Sequence, residues 1–331
     1  MTPTSTPHFW LRRMVIACLL LGLFLGAAGA AYQWIESARD RRAAPMPGQL
    51  VDVGGYRMHI VCLGSGSPTV VFDSGLGDSF VPWYQKVQPR VAQFARACSY
   101  DRAGYGYSDA SPRPRTSQDM AEELHRLLHN AGVEPPYLLV GHSLAGYNVR
   151  LFTQLYRGEV AGMVLVDASH PEQMRRFPPE LNDMDASWRR EMEFFAFTMP
   201  FGIPRLMGFC TGGVEARAAD CNVHSLRESV AEMDKFPESA KQAAGTGPFG
   251  GLPLSVLSED PDIPQPDLPE ELVKPVGMAW SEMQEELTHL STRGTRIVAK
   301  NSGHYIQLDR PDLVVEAVRQ VLAQQSGTKA E

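Results

Sequence analysis

Ser143 is the residue from which chemistry can be argued first. It stands in Gly141-His142-Ser143-Leu144-Ala145-Gly146, between the apolar run Tyr137–Val140 and a helical segment reaching about Arg157. Acyl transfer in water needs an activated nucleophile, a base, a group that orients the base, and donors for the developing oxyanion. A serine on a sharp strand-to-helix turn lifts its hydroxyl clear of the backbone, and only small neighbours tolerate that turn. Gly141, Ala145 and Gly146 are such neighbours. The helix that starts there also directs positive partial charge at a forming oxyanion. A Gly-x-Ser-x-small string alone recurs by chance; between a strand and a helix it is far more specific. Nine histidines, His142, His170, His289 and His304 among them, could supply a base. Metal chemistry has no comparable support. Cys210, Cys221 and His224 are too far apart for a compact zinc site, so no metal or organic cofactor is expected.

The elements that must position these groups follow from the hydrophobic pattern. Leu50–Val53 and Tyr56–Leu63 read as strands joined at Gly54-Gly55, followed by the short strands Thr69–Asp73 and Ala97–Asp101. A helix spans about Ser117–Asn130, with Thr116 and Asp119 resembling a capping box and Gly132 ending it. After Tyr137–Val140 and the elbow helix comes the strand Gly162–Val166, ending at Asp167. Uniformly apolar strands alternating with helices imply a mostly parallel sheet covered on both faces. From about Ala168 to Gly251 the strand pattern stops, and an insertion, expected to be helical, takes its place. Leu254–Ser258 resumes the strands. A Pro-rich loop (Asp260–Pro275), a helix with Trp280, Met283, Leu287 and Leu290 at helical spacing, the strand Thr295–Ala299 and a helix over Pro311–Ala323 complete the chain.

The succession DSGLG, DRAGYGYSD, VGHSLAG, VLVDASH and NSGHYIQLDRP resembles the α/β-hydrolase superfamily over about residues 48–323. The resemblance implies a doubly wound, mostly parallel sheet with a helical cap insertion. It also implies a serine hydrolase with Ser143 as nucleophile and His304, after the last strand, as base. The oxyanion donors it implies are the backbone N–H groups of Leu144 and Leu76. Ala145 and Ser74 depart from common family residues without removing a catalytic group. The acid stays open. Most members carry it after the penultimate strand in a Gly-x-x-Asp form, which Ser258-Glu259-Asp260-Pro261-Asp262 lacks. Haloalkane dehalogenases and pancreatic lipases place it after the strand following the elbow helix, where Asp167 stands, so Asp167 is favoured with Asp260 as the alternative. Epoxide hydrolases and dehalogenases use an aspartate nucleophile, and Ser143 argues against both chemistries. DRAGYGYSD is assigned to the fold. In the family's sheet the second and fourth strands are neighbours, which would let Cys62 and Cys98 pair, while Cys210 and Cys221 would close a small loop in the insertion. The other reading of these cysteines is four buried thiols.

The chain has 331 residues, which fits one large domain with an insertion as well as two domains, and a formal charge of -7, the wrong sign for nucleic acid, which is not expected as a partner. The run Met14–Trp34, preceded by Arg12-Arg13, is long enough to cross a membrane at about 1.5 Å per residue. The expected layout is a cytoplasmic N-terminus (1–13), a transmembrane anchor (14–34) and a tether (35–48). A hydrolase core (49–167 and 252–331) interrupted by a cap (168–251) follows, with the catalytic domain outside the cytoplasm. A cleaved signal ending near Ala28-Gly29-Ala30 would give a secreted or periplasmic protein instead. Met192, Phe194, Phe195, Phe197, Met199, Phe201, Leu206, Met207 and Phe209 form either the cap's own core or an apolar acyl pocket. The expected reaction is hydrolysis of a small, apolar carboxylic ester through an acyl-enzyme. The same groups could also serve amide, thioester or C–C hydrolysis or cofactor-free peroxidation, or the fold could be a tethered, non-catalytic binding protein.

Overall fold

A computed structural model describes residues 7–263 and 268–327. Eight strands form one sheet: β1 (Gln49–Asp52), β2 (Arg57–Leu63), β3 (Thr69–Asp73), β4 (Ala97–Tyr100), β5 (Tyr137–His142), β6 (Val160–Val166), β7 (Leu254–Ser258) and β8 (Gly294–Val298). Their spatial order is β1-β2-β4-β3-β5-β6-β7-β8. β1 and β2 pair antiparallel, as do β2 and β4, and every later pairing is parallel. The longer helices are α1 (Pro7–Ala43), α2 (Ser117–Asn130), α3 (Ala145–Leu155), α4 (Glu180–Thr198), α5 (Ser225–Ala244), α6 (Glu270–Thr288) and α7 (Pro311–Gly327).

The central strands β3 to β7 are buried throughout because both faces are covered, and their side chains divide by the period-two alternation of a pleated strand. Val71, Leu139, Met163 and Leu165 pack with Leu124 of α2, Val149 of α3 and Leu287 of α6. Val70, Phe72, Leu138, Val140, Val164 and Val166 pack on the other face with Trp83, Val314 and Val318. Thr116 caps α2 as expected, accepting a hydrogen bond from the Asp119 N–H. Cys62 and Cys98 are direct partners in the β2–β4 register and form a disulfide; Cys210 and Cys221 form a second.

Three stretches differ from expectation. α1 continues through residues 35–43, so most of the stretch read as a tether (35–48) is helical. That segment is held by the insertion: Arg205 donates to Asp40 Oδ2 at 2.8 Å and Arg217 to Oδ1 at 3.2 Å. The Pro-rich loop is shorter than expected, since α6 begins at Glu270 and runs through Pro275. Residues 264–267 of that loop lie outside the described residues. Burial of Leu272, Val276, Trp280 and Met283 along one face favours the helix over the one backbone bond that Pro275 cannot donate. α6 also stops at Thr288, so Leu290 packs on the core from the following turn. The insertion is helical throughout its described regular elements, as anticipated.

Candidate active site

β5 and α3 meet at Ser143, whose φ of 54° puts it in the left-handed region. A non-glycine residue there costs on the order of 1–3 kcal/mol and needs surrounding structure to hold it. Its N–H donates to the Val166 carbonyl at 3.1 Å, and its own carbonyl accepts from Gly146 and Ser169 at 2.9 Å each. A side chain on Gly146 would meet the Ala168 Cβ at 2.5 Å, and one on Gly75 the His142 ring at 2.8 Å. These two close approaches pack the elbow between the β6 end and the loop after β3.

β6 ends at Asp167, also at positive φ (42°) and wholly buried. Its carboxylate is fully engaged. Oδ2 lies 2.6 Å from His304 Nδ1, while Oδ1 accepts from the Glu259 N–H at 2.8 Å and from the Trp280 indole N–H at 2.9 Å. With Nδ1–H donating to Asp167, the imidazole presents Nε2 as its free lone pair. Burial works to lower the His304 pKa, but the Asp167 hydrogen bond and charge, helped by Glu259 and Asp78, outweigh it and hold it above the ordinary value. Part of the ring is nevertheless open, 39% of the side chain, toward a cavity of about 410 Å³. Ser143, His304, Leu76 and Leu144 all line that cavity.

Asp260 is engaged elsewhere. It accepts from the Asn301 N–H at 3.0 Å and from Lys300 at 2.9 Å, and these partners hold its carboxyl below the usual range. It braces the loop that leads to His304. His142 is wholly buried and its Nε2 lies 3.0 Å from the His304 carbonyl. Burial first, then the neighbouring His304 charge, keeps it neutral, so it donates to and steadies that loop. His170 faces Glu286 at 3.5 Å, and His289 is exposed just beyond α6.

Several contributors were not legible beforehand. Trp280 read as a plain apolar helix position, yet its N–H reaches Asp167. Asp78, at the end of DSGLGD, is pushed up to about 6 by burial, with Arg102 and His304 pulling the other way, and its Oδ2 lies 3.9 Å from His142 Nδ1. Arg102 of the DRAGYGYSD segment donates to Asp73 and to the carbonyls of Ser74 and Gly75, and also to Glu232 of α5. It thereby ties the loop after β3 to the insertion. The cavity's apolar wall comes from Met174, Trp188, Met233 and Phe236. Of the residues read as either the cap's own core or an acyl pocket, Met192, Phe195, Met199 and Phe209 line a separate space, and Phe194, Phe197, Phe201, Leu206 and Met207 are exposed.

The fold recurs in known proteins. Residues 68–248 match the family described as alpha/beta hydrolase fold. The chain is 29% identical to protein YqjL of Bacillus subtilis (strain 168) over 258 residues, covering 78% of this chain and 85% of that one. Protein YbdG of the same organism is 28% identical over 164 residues, so the chain spans about half the length of that relative (50%) and aligns over 49% of its own. Among solved structures, an esterase from Thermogutta terrifontis superposes with a TM-score of 0.60 at 20% identity, over 84% of this chain and 98% of that one. With the matched segment running from the start of β3 past the elbow and through the insertion, the chain belongs to the α/β-hydrolase family.

Proposed function

We propose that this chain is a serine hydrolase that cleaves carboxylic esters through an acyl-enzyme, with Ser143 as nucleophile, His304 as base and Asp167 as the acid that orients it. The observation that carries the reading is the 2.6 Å contact between His304 Nδ1 and a wholly buried Asp167, beside a strained Ser143 that shares one cavity with His304. Ser143 Oγ attacks the carbonyl carbon, and its proton passes to His304 Nε2 as the Oγ–C bond forms. The N–H groups of Leu76 and Leu144 receive the oxyanion. His304 returns the proton to the departing alkoxide as the C–O bond breaks. Water then repeats the sequence on the acyl-enzyme and releases the acid. Met174, Trp188, Met233 and Phe236 favour an apolar ester. Residues 168–251 serve as the cap over this cavity.

The same reading anchors the chain by α1, with the catalytic domain outside the cytoplasm. α1 holds a stretch long and apolar enough to cross a bilayer, Arg12 and Arg13 precede it as residues of an end kept in the cytoplasm would, and the disulfides suit an oxidising compartment. Labelling with a fluorophosphonate probe tests the nucleophile. Wild type is expected to label and Ser143→Ala not to. A folded wild type that resists the probe would overturn the esterase reading.

A further inference from the structure

The insertion carries an apolar surface that its own packing does not use. Phe194, Phe197, Phe201, Leu206, Met207 and Phe209 are all exposed, Phe197 by 73% and Leu206 by 69%. The Phe197 and Phe201 rings lie side by side, with centroids 6.4 Å apart, and exposed apolar surface gathered in this way marks an interaction site. The same part of the insertion is docked on α1. The backbones approach at Gly29 and Phe201, and Tyr32 packs on Gly202. Gln33 donates to the Cys221 carbonyl at 3.2 Å, and Asp40 holds Arg205 and Arg217. Gly26, Gly29, Gln33 and Asp40 recur at helical spacing and so present one continuous face to the insertion.

Helix geometry sets the depth of this contact. A hydrocarbon core of about 30 Å takes about 20 residues of helix, which counted from Met14, just after Arg12-Arg13, ends near Gln33. The Phe201 ring lies within 3.9 Å of the Cβ position of Gly26. Gly26 is about 10 Å short of that end, at about 1.5 Å per residue. An anchor that spans the bilayer therefore carries Phe201 and its exposed neighbours below the membrane surface, the depth at which interfacial apolar faces bury.

Behind this surface is a second cavity of about 310 Å³, walled by Trp188, Met192, Phe195, Met199, Pro204 and Phe209. Asp220 also borders it, and burial pushes its carboxyl up to about 7. Trp188 lines the Ser143 cavity as well, and Gly77 of the second cavity adjoins Leu76 of the first. We propose that the exposed apolar face of the insertion is immersed in the leaflet on the catalytic side, and that the 310 Å³ cavity receives the acyl chain of a bilayer-resident ester whose carbonyl reaches Ser143 past Trp188. Immersion rests on the anchoring reading, and delivery rests also on the esterase reading.

The test uses the full chain in phospholipid vesicles. A benzophenone-bearing residue in place of Phe197 is expected to cross-link phospholipid at least about tenfold more than one in place of Leu155, at the far end of α3, as a side chain within the acyl region would. Equal or absent cross-linking overturns immersion. The double variant F197E/L206E, whose residues line neither cavity, is expected to slow hydrolysis of a long-chain ester dissolved in the vesicles by about tenfold or more. That matches the cost of charge in an apolar leaflet. It should leave a water-soluble acetate ester within about twofold of wild type, and an unchanged or equal effect on the two esters overturns delivery. Lipid cross-linking without hydrolysis of either ester keeps immersion and overturns delivery together with the esterase reading.

Discussion

At the scale of single residues, the two candidate acids differ in what surrounds them. Asp167 has one oxygen on His304 and the other on two N–H donors, whereas Asp260 is bound up by Lys300 and Asn301. In the proposed triad, Asp167→Asn is expected to lower kcat by about 10⁴, the order found when a triad carboxylate becomes an amide, because the imidazole adopts the wrong tautomer. Asp260→Asn is expected to stay within about tenfold, since it alters only the loop that carries His304. Steady-state kinetics on one soluble ester compares them. A pH profile gives a second check. The base works only when neutral, and Asp167 stabilises its cation, so the His304 pKa is raised. kcat/KM is therefore expected to rise with pH through an inflection above 6.5, the ordinary histidine value. Removing the carboxylate in Asp167→Asn moves the residual inflection down.

At the scale of elements, α6 does more than cover the sheet. Trp280 points its indole N–H at Asp167 Oδ1, so Trp280→Phe keeps most of the bulk and removes one of that oxygen's two donors. A lost charge-assisted hydrogen bond is worth about 1.5–3 kcal/mol, so kcat is expected to fall by roughly ten- to a hundredfold with little change in KM. The β2–β4 pairing carries its own prediction. Cys62 and Cys98 close a loop with a sequence separation of 36, for which chain-entropy arguments give about 4 kcal/mol. Replacing both with serine is expected to lower Tm by several degrees, read by calorimetry, with the active-site kinetics of the remaining folded protein unchanged.

At the scale of the whole molecule, α1 and the insertion form one unit. Arg205 is nearly buried against Asp40, so removing that carboxylate leaves a guanidinium without its charge partner. Asp40→Ala is expected to destabilise the full chain by about 3–5 kcal/mol, measured by denaturant unfolding in detergent micelles. A smaller loss would mean that Gln33 and solvent satisfy Arg205 without it. The buried Arg102–Glu232 pair makes a second tie, from α5 to the sheet, so the insertion is fastened to the core on one side and to α1 on the other.

The local signals were legible in the chain by itself: strand and helix periodicity, the apolar N-terminal run, the Ser143 turn, and a histidine after the last strand. Each depends on residues within a few positions of one another, and period and turn chemistry are short-range properties. Strand adjacency, with the Cys62–Cys98 pair it allows, came from resemblance to a family. Which carboxylate faces His304 was decided by the sheet, which sets the end of β6 beside the loop after β8 across a large gap in sequence. The donors to Asp167 come from just past the end of β7 and from the middle of α6, and no spacing in the chain could have announced them. The apolar residues of the insertion look alike in sequence. Only the packing of the insertion separated those that wall a cavity from those left bare, because burial depends on what the folded chain brings near.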